Sequence, residues 1–353
     1  MISDKNKKQE GGDGSSNIQA ENVNVYNTGI SYSDAKEIAL DVFKTNFIHL
    51  KNEAAQIAAE RAEEITENIL KTLNEKHPES LKEFEQPAMQ DALFTAQKEY
   101  AKSGDKDLGD LLADIIVDRA NVSKRNMLQI VLDESLTIAS KLTVEQLDTL
   151  TLIFLLIRTR RMILRNYNDF QNYLIQYIFP FVDNLIIDKE HYNYLEYLRC
   201  GHIRTGNYGQ LENNLRETYK GFFSKGFAMD EFDKEFEENK PNMQGLIIPC
   251  FHDITKLQLG VFDDQTLEQR MTERGFEDEQ KNKLKAFFNK TTFSQNEIKD
   301  KLIAFNPIME KVFNVWKDSY FNQFELSHVG IAIAHANYRR RTGETMDLSI
   351  WIK

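Results

Sequence analysis

Apolar residues recur at helical rather than strand spacing along most of this chain, and the densest run lies near its middle. In residues 142–165 (LTVEQLDTLTLIFLLIRTRRMILR), Thr143 and Gln146 stand three apart, as in a capping box, with Leu142 and Leu147 at the staple positions around it. Residues 152–157 are then apolar at every position. A helix that is apolar all round must be enclosed by protein or lipid. Asp148 and Arg158 bracket this run, which is far shorter than the roughly 18 residues a membrane span needs. The pattern therefore predicts the central helix of a helical core.

The same reading extends in both directions. Residues 1–16 are rich in Lys, Gly and Ser and predict a disordered tail. In residues 17–29, Ile18, Ala20, Val23 and Val25 are spaced among Asn, Gln and Glu, with strand-like alternation from 23 to 27. A lone short strand needs a partner for its ladder groups. It either docks on its own domain or pairs with the same segment in other copies, and the second reading is preferred because a helix follows at once. Ser31 and Asp34 open that helix, which the pattern carries to about Lys76, before His77-Pro78. Phe43, Phe47, Leu50, Ala54 and Ile57 step by four, three, four and three along it, a heptad-like seam. Such a helix would be roughly 65 Å long at 1.5 Å per residue and would pack along its own domain or serve as an oligomerising stalk.

Further amphipathic helices are predicted over 86–102, 108–116, 127–140 and 167–187, the last kinked at Pro180. Residues 30–200 thus read as a helical bundle. A Gly-rich loop (GHIRTGNYG) and an acidic helix make 201–243 a connecting region. From 244 to 353 the pattern changes: short apolar segments (LIIPCFHDI, KLQLGVFD), helices over 276–289, 296–305 and 307–318, a strand-like 321–326, a helix over 327–341 and a final apolar strand over 348–352. Ser294 and Glu297 form a second capping box. Three helices followed by a strand predict an α+β module of winged-helix character. The expected fold is therefore mainly α, a helical bundle with a short N-terminal β segment and a smaller C-terminal winged-helix-like domain.

Composition narrows the function classes. The formal charge of −11 repels phosphate backbones, so nucleic-acid binding would need a local basic patch. Two cysteines among 353 residues make no disulfide framework. The charged start (MISDKNKKQEGGDG) is not followed by an apolar segment, so neither an export signal nor a membrane segment is expected, and a cytoplasmic location is.

Candidate chemistry is sparse. Cys200 with His202 and Cys250 with His252 offer thiolate and imidazole ligands for a zinc ion, although the members of structural zinc pairs usually lie two to four residues apart. A Cys of this kind is commonly a small buried hydrophobe. Arg158, Arg160, Arg161 and Arg165 form the densest basic cluster, suited to an anion or to the C-terminal end of a helix dipole. Arg339, Arg340 and Arg341 follow the expected wing, but the would-be recognition helix 307–318 is neutral, which favours a protein-binding or purely structural module over a DNA-binding one. The carboxylates of Asp230, Glu231, Asp233, Glu235, Glu237 and Glu238 read as a solvated face, and His328 and His335 as packed helix residues. No phosphate-binding, dinucleotide, zinc-protease or nucleophile-elbow motif is present, so no catalytic residue and no cofactor are expected.

Four segments carry a resemblance: SSNIQAENV (15–23), GISYSDAKEIALDVF (29–43), KLTVEQLDTLTLIFLL (141–156), and LSHVGIAIAHAN with DLSIWI near the C-terminus. In these the chain resembles a family of uncharacterised bacterial proteins of about this length, a resemblance that implies no activity and transfers no catalytic residue. The S-x-N-I-Q-A segment also resembles short preludes on bacterial conflict and phage-defence proteins. The leading expectation is a self-assembling interaction or scaffold protein, with Ile18, Ala20, Val23, Val25, Phe43, Phe47 and Leu50 as oligomerisation residues. A winged-helix regulator of nucleic acid and a metal-dependent hydrolase are the alternatives.

Overall fold

The computed structural model describes residues 30–46, 53–236, 243 and 245–353, and it is mainly helical. Ile18, Ala20, Val23, Val25, Phe47 and Leu50 lie outside the described residues. The described residues open with α1 (Tyr32–Asn46) and α2 (Glu53–Lys76). Lys36 on α1 reaches Glu63 and Glu67 of α2 at 3.2 and 2.6 Å, while Phe43 near the other end of α1 shares a buried cluster with Ala58, Ala62 and Ala101. The two helices are therefore antiparallel neighbours, and the single long helix expected over 31–76 is corrected to a helical hairpin. The expected seam breaks with it: Ala54 and Ile57 face solvent, and the buried stripe of α2 is Ala58, Ala62, Ile65, Ile69 and Leu73. Alanines on both faces let the backbones approach closely, which the heptad count could not distinguish from a seam for another copy.

A 3-10 segment (Pro78–Glu85) leads to α3 (Pro87–Ser103), ended by Gly104 in the left-handed conformation, then α4 (Lys106–Ala120), α5 (Met127–Ala139) and α6 (Val144–Ile153). The Thr143–Gln146 box forms as expected: the Thr hydroxyl caps the Gln146 N–H, and the Gln side chain returns to the Thr143 N–H. The central helix is shorter than predicted. It widens into a π turn (Phe154–Arg158), and Thr159 turns extended, so residues 159–165 run as an open strap. A second π turn (Leu174–Ile178) follows α7 (Tyr167–Tyr173), just before the 3-10 turn Phe179–Phe181. Pro180 has no N–H to donate and its ring crowds the carbonyl four residues back, so the helix widens and then stops where a kink was expected.

Next come α8 (Lys189–Tyr197), β1 (Gly201–Ile203), α9 (Leu211–Thr218), a 3-10 turn (Lys220–Phe223), α10 (Met229–Phe236), β2 (Ile247–Pro249), β3 (Leu257–Leu259), α11 (Asp264–Glu273), α12 (Asp278–Lys290), α13 (Gln295–Phe305), α14 (Ile308–Asp318), β4 (Phe324–Leu326) and α15 (His328–Thr342). Among the described residues the four strands pair two by two, both pairs antiparallel: β1 with β4 and β2 with β3.

The last helix decides the architecture. Residues 330–338 of α15 are buried without interruption, and α15 packs on α4, α5 and α6 in the heart of the bundle. Its Gly330 is required: a Cβ there would stand 1.9 Å from the Cys200 carbonyl oxygen. One core runs from Ala35 to Phe223 and resumes from Ile298 to Ile352, whereas residues from Phe227 to Phe288 build a second, Phe-rich core of their own. The division expected at 243/244 is thus replaced by an insertion. Its entry and exit are stitched together, Lys225 N–H to the Thr291 carbonyl (2.7 Å) and Phe293 N–H to the Phe223 carbonyl (2.8 Å). The winged-helix expectation is corrected as well. β4 pairs with β1, more than a hundred residues upstream, and the expected final strand is a 3-10 turn (Leu348–Ile350), so no wing hairpin exists among the described residues.

Asp148 clasps α6 to α15. It has no exposed surface, and both its oxygens accept from Arg341 at 2.7 Å. Asn184 (2.9 Å) and Asn337 (3.2 Å) donate to it too, and Arg341 spends a further N–H on the Pro180 carbonyl. Nearby, His335 is held by the Met346 carbonyl at 2.8 Å, with its Nδ1 3.8 Å from Asp118. An Asp148→Ala substitution leaves Arg341, Asn184 and Asn337 without their shared acceptor and is expected to cost about 1.5–3 kcal/mol in urea unfolding; a loss below about 0.5 kcal/mol would refute the clasp. Burial pushes the His335 imidazole below its ordinary range despite the attraction of Asp118. Between the unfolded value of about 6.5 and that lower folded value, only the unfolded chain takes up the proton. Stability is expected to hold above about pH 6.5 and to decline below it, and His335→Gln should flatten this part of the slope in denaturation curves at stepped pH.

Candidate functional site

The strap 159–165, the 3-10 turn Lys220–Phe223 and the face of the inserted body carrying β2, β3 and α11 meet along a seam. Tyr219, which ends α9, fixes the strap by accepting the Arg161 N–H at 3.0 Å. The four arginines predicted as an anion site lie on this strap and the turn before it, and each grips a different element. Arg158 reaches Glu325 on β4 (2.9 Å), and Arg160 reaches Asp263 at the start of α11. Arg161 binds Glu344 beyond α15 (3.0 Å) and lies over the Tyr177 ring; Arg165 binds Asp169 on α7 (3.2 Å). The cluster is a set of clamps rather than one converging anion pocket. The extended backbone explains this, because it points neighbouring side chains in opposite directions.

Asp263 does two tasks. Its carboxylate caps α11 through the Thr266 N–H at 2.7 Å and also takes Arg160. Burial opposes its ionisation, yet these donors hold the carboxyl below its ordinary value. Beside it the Lys220 side chain, fully buried, places its ammonium 2.7 Å from Asp264 and over the Phe288 ring. Gly221 completes the join. Its N–H donates to the Phe262 carbonyl at 2.8 Å, and a Cβ on it would stand 1.9 Å from the Val261 oxygen.

The metal set expected from the sequence is not assembled. Cys200 is buried under Ser327, and burial pushes its thiol up to about 12, far from the thiolate a metal needs. His202 faces Glu325 across the β1–β4 ladder, 3.7 Å away. Cys250 is buried with its sulfur 3.7 Å from the Ser224 carbonyl. His252 sits at the seam, its Nε2 2.7 Å from the Phe222 carbonyl and its ring against Tyr167. Among the described residues no group of three or more His, Cys, Asp and Glu side chains is placed to hold a metal. Arg339, Arg340 and Arg341 are likewise spent on Asp114 and Asp118, on Asp107, and on Asp148. Among the described residues no helix is long and apolar enough to cross a membrane.

What the seam does enclose is a cleft of about 320 Å³, walled by Leu164 and Arg165 of the strap, Gly221, Phe222, and Ile248, Phe251, Gln258, Gly260, Val261, Phe262, Thr266 and Arg270 of the insertion. Gln258 is buried and fully used, accepting from Phe251 N–H (2.9 Å) and donating to the Gly221 carbonyl (3.0 Å). Sequence reasoning missed this cleft. Its only local signal was the run of aromatic and glycine residues at 220–223 and 259–262.

A family model described as ":-like" matches residues 29–352, and the chain belongs to that family. No curated protein and no solved structure matches it. The clamp geometry is open to measurement. In a double-mutant cycle of Arg160→Ala and Asp263→Ala, unfolding free energies should couple by about 1–3 kcal/mol, and additivity within about 0.3 kcal/mol would show that this pair does not join the two bodies.

Proposed function

We propose that this chain, as a member of that family, is a self-assembling interaction protein of the bacterial cytoplasm, without catalytic chemistry of its own. The observation that carries the reading is the way the folded body begins. Ser31 and Asp34 cap α1 reciprocally, with the Ser31 N–H on Asp34 at 2.9 Å and the Asp34 N–H on the Ser31 hydroxyl at 3.2 Å. The helical body therefore closes its own first helix and needs nothing upstream to do so. The apolar positions Ile18, Ala20, Val23 and Val25, with strand-like alternation from 23 to 27, precede that cap in the sequence. Within the body, the four described strands are three residues each and are matched with one another. A second copy of the chain is the partner that a segment of this pattern best suits, through strand-to-strand pairing that satisfies its backbone.

Two further observations support an interaction role. The charged groups with defined geometry at the clasp and the strap act as structural pairs, which leaves them committed to holding shape. Exposed apolar side chains, Met162 and Ile163 on the strap among them, offer surface for contact. The resemblance of the S-x-N-I-Q-A segment to preludes of phage-defence proteins sets the biological context.

Phe43, proposed from its spacing as an oligomerisation residue, is buried within the chain's own α1–α2–α3 cluster, so the reading rests on residues 17–29. Light scattering of the full chain should give a mass of at least twice 41.1 kDa, and a version lacking residues 1–28 should fall to the monomer mass while keeping its helical circular dichroism. A full-length monomer would overturn the proposal.

A further inference from the structure

The seam cleft carries a charge that its walls leave uncompensated. Arg270 is half-buried at the cleft, on α11, and one of its N–H groups donates to the Gly260 carbonyl at 2.9 Å. Among the described residues no carboxylate pairs with it, whereas Arg158, Arg160, Arg161 and Arg165 along the same seam each have one. A guanidinium has five N–H donors in a planar fork, and taking it out of water without a counter-charge is costly. Beside it the cleft wall is aromatic. Phe222 stacks on Phe251 with centroids 5.8 Å apart and meets Phe262 edge-on at 4.9 Å. Gln258, with both ends of its amide engaged, is wall rather than reader, and Arg165, largely exposed at the rim, turns its Nε to Asp169 at 3.2 Å. The volume of about 320 Å³ falls at the lower end of the roughly 300–1,000 Å³ typical of small-molecule sites.

We infer that the seam cleft is a binding site for a small aromatic anion, whose ring lies among Phe222, Phe251 and Phe262 and whose carboxylate, sulfonate or phosphate pairs with Arg270. The apolar body would gain by leaving water, and the anion would supply the counter-charge that the protein does not. Because the cleft is lined from both the helical body and the insertion, a bound ligand would also bridge the two. This inference stands apart from self-association, since it concerns ligand affinity and not particle mass.

The test uses the full chain and two probes of similar shape, the anion 1-anilinonaphthalene-8-sulfonate and the neutral N-phenyl-1-naphthylamine, titrated by fluorescence and calorimetry. The anion should bind at one site per chain. Arg270→Gln should weaken it about ten-fold or more while the neutral probe changes less than about two-fold, and Arg270→Lys should retain most of the affinity. Thr266→Trp, which fills the cleft without touching the charge, should weaken both probes and serves as an independent test if Arg270→Gln does not fold. Equal affinity of the anion for the native chain and for Arg270→Gln, or binding at several sites indifferent to Thr266→Trp, would overturn the assignment.

Discussion

Asp148 and Arg341 meet across 193 residues of sequence, and the rest of the architecture depends on that meeting. A carboxylate with no exposed surface is tolerable only when its charge and its lone pairs are answered. Arg341, Asn337 and Asn184 answer them here from α15 and from the segment beyond the Pro180 break. This ties three parts of the chain to one point. It also selects one placement of α15, because an apolar helix without such a pairing could slide or rotate in the bundle at small cost, whereas displacing Arg341 would leave the buried Asp148 carboxylate without its counter-charge.

Once α15 is held inside the N-terminal bundle, the chain between must leave the core and come back. The excursion is the insertion with its own phenylalanine core, pinned where it departs and returns by the backbone pairs at 223–225 and 291–293. Two small cores that share a surface need specific contacts to set their angle. The strap supplies them through Arg160 on Asp263, and Lys220 on Asp264 supplies another. Where those contacts draw the bodies together without filling the space between, a cleft remains. The cleft is thus a product of how the insertion is mounted, and a charge left unanswered in it, Arg270, gives it chemical character.

Much of the helical content was legible from spacing, because periodic burial is a local property. The reciprocal caps at Ser31, Thr143 and Ser294 formed where the residues three apart implied them, since a cap is satisfied within one turn. α3 stops at Gly104, in a left-handed conformation that only glycine adopts cheaply. Errors arose where a pattern fits two partners. A heptad-like run of Phe and Ala suits a stalk or a hairpin equally, and α1 and α2 chose the hairpin. The LSIWI segment has strand propensity but no neighbouring ladder, and it closed as a 3-10 turn with Trp351 donating to the Arg158 carbonyl at 3.1 Å. The basic run at 158–165 was visible as charge, but whether it gathers an anion or grips carboxylates depends on where Glu325, Asp263 and Glu344 lie in space.

By itself the sequence determined that this protein is mainly helical and where several of its helices begin and end. Those features depend on interactions that span a few residues, and the order of residues contains them outright. Tertiary structure alone decided that the C-terminal helix completes the N-terminal core, that the two Cys-His pairs lie in separate places, and that a cleft with an uncompensated arginine opens at the seam. Such outcomes come from groups far apart in sequence competing for the same buried partners, and only the folded chain settles which of them meet.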